Sequence, residues 1–363
     1  LPVEQSVTTI LSNSFGFGGN NACLVLSKIE KEKESETEEA VPLSIIGKSC
    51  ITGAGHTMDS MGCFFRLESM AGMLDIKSIT ERLPARSIRR MKRFSQMALA
   101  LAAAAKKDSG IEQSPHAVFM GSGWGALSET WDFLDKLRST REQFPGPIDF
   151  VGSVHNSAAG QIAISHGATG PNITSSGGDY SFEQALHAAE IFLETTTRYN
   201  TAFLLAADES HNKFTKLLDA SAQKANLAAD GGGSFYLCQK AIPGKVSIKL
   251  AFYGKTHERV LVQMLESLGG KETIQQKCAM ILAGIPAAQE TEGEQQLNDF
   301  MQETDIDVPV IHYRKFTGEF ASASAVGAVM ATQLLESGEV PAGKQILVLG
   351  FGKTQTAMQL GMQ

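Results

Sequence analysis

The sequence predicts an α/β fold, and the order of its strand and helix signals is the basis for that prediction. Apolar, β-rich runs that close in glycine indicate buried strands, as at residues 43–55 and 345–352. Alanine-rich stretches such as residues 94–109 indicate closely packed helices. The same order of signals is present twice along the chain. We therefore predict a body of two similar β/α halves, residues 43–240 and 245–363.

Local signals place the elements of the first half. Residues 94–109 predict a helix that ends at Gly110. A Gly-x-Gly-x-Gly run at residues 121–125 follows a strand signal, but its spacing differs from the GxGxxG fingerprint and argues against a dinucleotide site. Ser181 and Gln184 have the spacing of a capping box, which predicts that a helix begins at Ser181.

The second half repeats this pattern. Its elements are strand signals at residues 246–254, 278–284, 308–314 and 345–352, with helix signals at 261–268 and 321–335. Two successive sets of strands and helices, each ending in strands, suggest a duplicated α/β body.

Composition limits the partners and the compartment. The 363 residues carry 39 acidic and 32 basic side chains, a net charge of −7 without a long basic run, which argues against nucleic acid as the main partner. No apolar stretch reaches the roughly 18 residues of a membrane span, and no signal-peptide pattern is present at the start. The five cysteines are odd in number and lack CxxC spacing, which supports neither a disulfide framework nor a metal site, so we predict a cytoplasmic protein. No cofactor of its own is expected.

An acidic segment divides the chain. Residues 29–41 hold six Glu, two Lys and no aromatic residue, which predicts a solvated linker, taken here as residues 29–42. A head, residues 1–28, precedes it. The head contains Gly16-Phe17-Gly18 and the C-terminal end contains Gly350-Phe351-Gly352, each after a β-rich run. This echo favours one structural piece present twice, and the head reads as a segment of a longer protein.

Four stretches resemble the β-ketoacyl synthases, the condensing enzymes of fatty acid and polyketide synthesis. They are residues 12–26, similar to the C-terminal signature of the family, residues 43–55, similar to its opening strand, residues 89–111, similar to its first core helix, and residues 170–192, similar to its nucleophile loop and helix. The resemblance implies a thiolase-like fold, with two similar β/α halves in a five-layer αβαβα arrangement. It also implies that the head is the C-terminal remnant of a second, upstream ketosynthase.

The resemblance assigns the catalytic positions, and none of them holds the residue of the family. Asp179 stands at the position of the nucleophilic Cys, Gly284 at the first His and Glu319 at the second His. Arg314 stands at the position of the preceding Lys, with Lys315 beside it. A Claisen condensation needs a thiolate to carry the acyl chain and imidazoles to stabilise the oxyanion. We therefore predict no independent condensing activity.

Two further sets of residues are assigned roles at this stage. Phe17 resembles the gating Phe of the family, and its echo Phe351 is a second candidate for a gate or tunnel residue. Five cations precede the helix at residue 94, where positive charge is mildly unfavourable, and this suggests a docking surface for an acidic acyl carrier protein, with a solvated face as the alternative. They are Arg86, Arg89, Arg90, Lys92 and Arg93.

The combined expectation is a non-catalytic subunit of the chain-length-factor type. It would form a dimer with an active ketosynthase, fused or separate, and an acyl carrier protein would supply the phosphopantetheine arm. Fatty acid or polyketide synthesis is the expected setting, with aryl polyenes as one candidate. Two alternatives stay open: malonyl decarboxylation or thioester hydrolysis that uses Asp179 and Glu319, and a purely architectural scaffold.

Overall fold

The computed structural model describes residues 7–15, 21–27, 42–89, 91–144, 146–194, 200–225 and 228–363. The chain divides into two compact units, Leu1–Ala40 and Val41–Gln363. The first unit contains an antiparallel hairpin of β1 (Thr9–Phe15) and β2 (Asn21–Ser27). The predicted linker, apart from residue 42, and the gate candidate Phe17 lie outside the described residues.

The second unit is the body, and its strands form one sheet of eleven strands. They are β3 (Leu43–Thr52), β4 (Gly55–His56), β5 (Ala117–Gly121), β6 (Asn172–Ser175), β7 (Thr201–Asp208), β8 (Gly231–Cys238), β9 (Val246–Lys255), β10 (Cys278–Gly284), β11 (Val310–His312), β12 (Gln345–Gly350) and β13 (Thr354–Met362).

Helices connect these strands in the described part of the body. They are α1 (Thr57–Phe65), α2 (Ile76–Thr80), α3 (Ala85–Ile88), α4 (Arg93–Ser109), α5 (Leu127–Ser139), α6 (Pro147–Ser153), α7 (Ser157–His166), α8 (Ser181–Glu194), α9 (Thr215–Leu218), α10 (Ala220–Lys224), α11 (Val260–Ser267), α12 (Gly270–Lys277), α13 (Glu290–Thr304), α14 (Tyr313–Thr317) and α15 (Ala323–Glu336), with short 3₁₀ turns at Gly178–Tyr180 and Ala287–Gln289. None of these helices combines the length and the apolar composition that a membrane span requires.

Both halves of the sheet have the same strand order. The first half reads β6-β5-β7-β8-β3 and the second β11-β10-β12-β13-β9, so each is 3-2-4-5-1 when its strands are numbered along the chain without the short β4, which pairs with β3 alone. The directions agree too, because in each half the fifth strand runs antiparallel to its two neighbours while strands two to four are parallel. A short antiparallel pairing of β3 with β9 joins the halves. The prediction of a duplicated body is confirmed.

Three apolar clusters reveal the layers. Val118 of β5 packs in a cluster with α4 and α7, whereas the next residue, Phe119, packs with α8 and α15. In β12, Val348 packs in that same α8 and α15 cluster, whereas Leu347 packs with α11, α12 and α13. Alternate residues of a strand point to opposite faces of a sheet. The halves therefore share a central layer of α8 and α15, and each has its own outer helices, which gives the five layers predicted.

Two local predictions near helix ends can be compared directly. Helix α4 ends as predicted, with Gly110 in the left-handed region at φ 66°. The capping box is wrong. Ser181 Oγ donates back to the carbonyl oxygen of Gly178 at 2.7 Å, and Gln184 Nε2 donates to Tyr253 Oη at 2.8 Å. A 3₁₀ turn leads directly into α8, so position 181 already has helical backbone and needs no cap.

Candidate functional site

Three predicted site positions come together where α14 meets the start of α8. Asp179 lies in the 3₁₀ turn before α8, Arg314 lies in α14, and Glu319 follows that helix. Arg314 Nη2 donates to Asp179 Oδ1 at 2.6 Å, and Nη1 donates to Glu319 Oε2 at 3.0 Å. The same guanidinium donates to the carbonyl oxygens of Phe320 and Ala321, each at 3.3 Å. One cation thus holds both carboxylates, and we refer to these three side chains as the Arg314 cluster.

Burial governs the electrostatics of the Arg314 cluster. Arg314 is 6% exposed. Burial opposes its charge, but Asp179 and Glu319 outweigh this effect and raise the pKa of the guanidinium well above its ordinary value. Burial also raises the pKa of both carboxyl groups, and the charge of Arg314 offsets part of that rise. The direct partner of Asp179 is thus a buried side chain.

Gly284 ends β10, and Tyr313 begins α14 beside it. A Cβ at position 284 would overlap the hydroxyl oxygen of Tyr313, and a Cβ at Gly327 of α15 would lie 3.0 Å from the Tyr313 ring. The Tyr313 side chain is 2% exposed. A tyrosine ring therefore fills the space that a histidine at position 284 would need. Sequence analysis missed Tyr313, because its role depends on its position in space. Its ring fills the volume that Gly284 leaves open, and this contact is not visible in the sequence.

Two cavities adjoin the Arg314 cluster. Asp179 lines the larger one, of about 820 Å³, whose other polar and aromatic lining residues include Trp124, His155, Asp219 and Lys353. Glu319 and Arg314 line a smaller one of about 170 Å³, together with Glu290, Glu294, His312 and Lys315. The two carboxylates therefore face different cavities. Lys315 is exposed and lines the smaller cavity, on the side of Glu319 and away from the cavity that Asp179 lines.

Asp208, at the end of β7, connects the wall of the larger cavity to α15. Its Oδ1 accepts hydrogen bonds from Ser122 Oγ at 2.9 Å and from the Trp124 amide at 2.7 Å, and its Oδ2 accepts one from the Ser322 amide at 2.8 Å. Burial raises the pKa of Asp208 to about 6. The glycine run at residues 121–125 is thus a structural loop of the site, held by a buried carboxylate.

The cationic run predicted for carrier-protein docking divides into two parts. Arg93 forms an ion pair with Asp230, whose side chain is 1% exposed, and it also donates to the carbonyl oxygen of Leu74 at 2.8 Å. The charge of Arg93 is therefore paired inside the body, and its docking role stays a prediction. The other members described are exposed, namely Arg86, Arg89 and Lys92, and Arg90 lies outside the described residues.

Phe351 does not lie at either cavity of the site. Its side chain is fully buried, and its ring centroid is 6.5 Å from that of Phe300 in α13. The ring belongs to the outer apolar cluster, and the gate role of Phe351 stays a prediction. Among the described residues, no cysteine lines either cavity and no group of three or more metal-binding side chains is assembled.

Part of the chain matches a known protein family. Residues 73–232, which include Asp179, match the N-terminal domain of the beta-ketoacyl synthases. The body is therefore ketosynthase-like over these residues. Among curated proteins the sequence has no match.

Several solved structures are similar to this chain in fold. The ishigamide ketosynthase/chain length factor is similar at a TM-score of 0.70 and 20% identity, over 88% of this chain and 99% of that chain. The type II polyketide synthase acyl-carrier protein in complex with its ketosynthase, AntDE:AntF, gives a TM-score of 0.72 at 14% identity, over 89% of this chain and 100% of that chain. The PfaC keto synthase-chain length factor gives 0.71 at 16% identity, over 98% of this chain and 47% of that chain. The ketosynthase-like body thus has the thiolase-like fold.

Proposed function

We propose that the ketosynthase-like body is a non-catalytic subunit of the chain-length-factor type, which pairs with an active ketosynthase in fatty acid or polyketide synthesis. The Arg314 cluster is the observation that carries this proposal. A condensing site presents a thiolate and neutral donors to the oxyanion. In their place stand two carboxylates, which would repel an oxyanion, and a guanidinium, which cannot act as a base.

The packing of Tyr313 supports the same conclusion. A catalytic pocket must leave room for substrate atoms within hydrogen-bond reach of the reacting groups. Here the tyrosine ring fills the place of one imidazole, and Arg314 bridges the positions of the nucleophile and the second imidazole. Tyr313 and Arg314, which are neighbours in α14, therefore fill the positions that the resemblance assigns to the catalytic groups.

The edge of the first half supports pairing with a second protein. Strand β6 is the last strand of its half, and among the described strands it pairs with β5 alone. Helix α7 packs beside it and carries Ile164, which is 78% exposed, and α6 next to α7 carries Ile148, which is 86% exposed. An unpaired strand edge flanked by exposed apolar side chains is a site for strand addition. We place the contact with the active ketosynthase at this edge.

The comparisons also support an adjoining ketosynthase. The unit Val41–Gln363 has 323 residues, which is 89% of the chain. The matches to the ishigamide and AntDE:AntF structures cover 88% and 89% of the chain, which is about the length of this unit. The match to the PfaC keto synthase-chain length factor covers 98% of this chain but only 47% of the PfaC chain. We propose that the β1 and β2 hairpin belongs to a ketosynthase that precedes the body, and that the carrier protein of this pathway brings the phosphopantetheine arm to that partner.

An altered enzyme that uses Asp179 and Glu319 receives less support. Both carboxylates accept hydrogen bonds from Arg314, and they line different cavities, so one bound thioester would not reach both.

Two measurements test the proposal. The active ketosynthase, expressed with and without this chain, should give different product lengths, and Ile164→Glu at the proposed contact should return the product profile to that of the ketosynthase alone. The purified chain, incubated with malonyl-loaded and acyl-loaded carrier protein, should release neither carbon dioxide nor free acid. Release that Asp179→Asn abolishes would overturn the non-catalytic assignment and favour the altered enzyme.

A further inference from the structure

A second large cavity lies away from the Arg314 cluster. It has a volume of about 790 Å³ and lies among β3, α1, α2, α4 and the end of α15. None of the three members of the Arg314 cluster is among its lining residues. Sites for small organic ligands have volumes of about 300–1,000 Å³. The cavity therefore has the size of a ligand site, and the proposed function leaves it unused.

The inner wall of this cavity is apolar because α4 carries only short side chains there. Ala100, Ala103 and Ala104 share one helix face, since residues three and four apart lie above one another. Buried Met61 and Ile79 complete the wall. Protein interiors are otherwise packed about as densely as organic crystals. Three alanines at one face thus leave an open volume that an aliphatic chain can fill.

Exposed apolar side chains stand at the mouth of the same cavity. Met58 is 87% exposed and Phe65 is 44% exposed, and both are lining residues on α1. A methionine side chain is unbranched and adapts to an irregular apolar ligand. Burial of these two side chains against a ligand would therefore add to the apolar contact that the alanine wall provides.

The rim of the cavity is mainly cationic. Lys48, Arg82 and Lys107 line it, against a single carboxylate at Asp108, whose Oδ2 accepts the Lys48 amide at 2.9 Å. Acidic groups outside the lining pair with two of the cations. Glu336 pairs with Lys48, and Glu81 accepts from Arg82 Nε at 3.1 Å, with both side chains of the latter pair more than half exposed. No ion pair among the described residues involves Lys107.

We propose that this cavity binds an aliphatic carboxylate, with the chain against the alanine wall and the head group at the rim beside Lys107. The chemistry is that of an apolar tail with one negative charge. Exposed ion pairs contribute little stability, so an incoming carboxylate can replace Glu81 as a partner of Arg82 at small cost. His56 does not compete for the head group, because its Nε2 is 2.8 Å from the carbonyl oxygen of Ser78.

Calorimetric titration of the purified full chain with saturated carboxylates of increasing length tests the inference. Each added methylene should tighten the dissociation constant about fourfold until the cavity is full, because one buried CH₂ contributes about 0.8 kcal/mol. The alkanol of equal length, which has the same tail and no charge, should bind more weakly than the carboxylate.

Two pairs of variants locate the site. Ala104→Leu fills the cavity and should weaken binding of the longest carboxylate at least tenfold, whereas Ala104→Ser keeps the volume and should not. Lys107→Gln should weaken binding up to about fivefold, as the loss of one exposed charge partner does. Lys106→Gln, one residue away and outside the lining, is its matched control.

The outcomes are distinct. Lys107 is exposed, so its variant tests the inference even if Ala104→Leu lowers stability. Absence of binding, equal affinity for alkanol and carboxylate, or binding that neither Ala104→Leu nor Lys107→Gln weakens would each overturn the inference. The proposed pairing with a ketosynthase is unaffected by any of these results.

Discussion

The hydroxyl group of Tyr313 lies where a side chain at position 284 would begin. Gly284 is at the end of β10, so its backbone faces the start of α14 directly, and a Cβ there would overlap the phenol oxygen. Gly327 of α15 faces the same ring from the central helix layer. The ring is thus enclosed by two glycines on different elements. A histidine could be restored at position 284 only if Tyr313 moved.

This contact predicts a coupled pair of substitutions. Gly284→Ala should lower the free energy of unfolding by about 1–3 kcal/mol, the usual cost of overpacking a core. In a Tyr313→Leu background the same change should cost less, because the overlapping atoms are gone, and urea unfolding of the four proteins measures the difference.

Gly160→Ala in α7 is the matched control for Gly284→Ala. A Cβ at position 160 would meet nothing within 4 Å. Alanine is the better helix former, so this variant should keep or gain up to about 1 kcal/mol. Equal costs of Gly284→Ala in the two Tyr313 backgrounds would contradict the enclosed-ring interpretation.

Removal of the cation from the Arg314 cluster should be costly. Arg314→Met leaves Asp179 and Glu319 buried without a counter-ion, and loss of one partner from a buried pair costs about 3–5 kcal/mol. Addition of Asp179→Asn and Glu319→Gln should recover much of that loss, because the uncompensated charges are then removed. Chemical unfolding at neutral pH measures both effects.

An exposed ion pair provides the comparison for Arg314→Met. Arg138 pairs with Asp135 on the surface of α5, and Arg138→Met should change stability by less than about 1 kcal/mol. If Arg314→Met is as mild as Arg138→Met, the two ion pairs of the Arg314 cluster contribute little to the stability of the fold.

The sequence was sufficient for the architecture but not for the content of the site. The two halves follow from the repeated strand and helix signals, and the five layers follow from the resemblance, which is why the duplicated body was predicted correctly. The positions of Asp179 and Glu319 followed from the same resemblance. Their shared partner did not, because Arg314 is far from Asp179 in sequence and the pairing depends on how α14 meets α8. One signal could have suggested this pairing. An arginine and two acidic residues all stand at positions where the resemblance assigns other residue types.

Phe351 and Arg93 show the same limitation from the opposite side. Both were assigned to function because of their neighbours in the sequence. In the fold, Phe351 packs on Phe300, and Arg93 neutralises buried Asp230. Local sequence context does not reveal which way a side chain points, so the packing partners of these two residues are visible only in the tertiary structure.

The division of the cationic run predicts two different phenotypes. Arg89→Glu should weaken binding of the acyl carrier protein by about twofold to fivefold, and more at low salt, because it changes an exposed charge. Arg93→Gln should instead lower the unfolding free energy, because Asp230 loses its buried partner. Binding titrations at two salt concentrations, with unfolding curves for each variant, separate the two effects.

Arg259→Glu is the control for Arg89→Glu. Arg259 is an exposed arginine at the start of α11, in the other half of the body. The same charge reversal there should leave carrier-protein binding unchanged. If both variants weaken binding equally, the carrier protein responds to net charge and the docking surface is not at Arg89.

Glu183 predicts how stability depends on pH. Its carboxyl group is 1% exposed between α8 and α15, with Ser324 Oγ donating to Oε2 at 3.0 Å and Thr356 Oγ1 3.4 Å from Oε1. Burial raises its pKa from 4.5 to about 7, and the charge of Arg314 reduces that rise. Between these two pH values the folded protein keeps a proton that the unfolded chain has released.

A group of this kind stabilises the fold at low pH. The free energy of unfolding should therefore fall as the pH rises from about 4.5 to about 7, by about 1.4 kcal/mol per pH unit for one proton, and level off above that range. Asp208 and Glu209, with pKa values raised by burial to about 6 and about 7, act in the same direction, so the readout is the difference between wild type and Glu183→Gln. Glu183→Gln should flatten the slope by about one proton, whereas Glu339→Gln at an exposed position should not. Parallel slopes for wild type and Glu183→Gln in urea unfolding at pH 5, 6 and 7 would show that Glu183 is ionised in the folded body and that its burial is compensated by its hydrogen bonds.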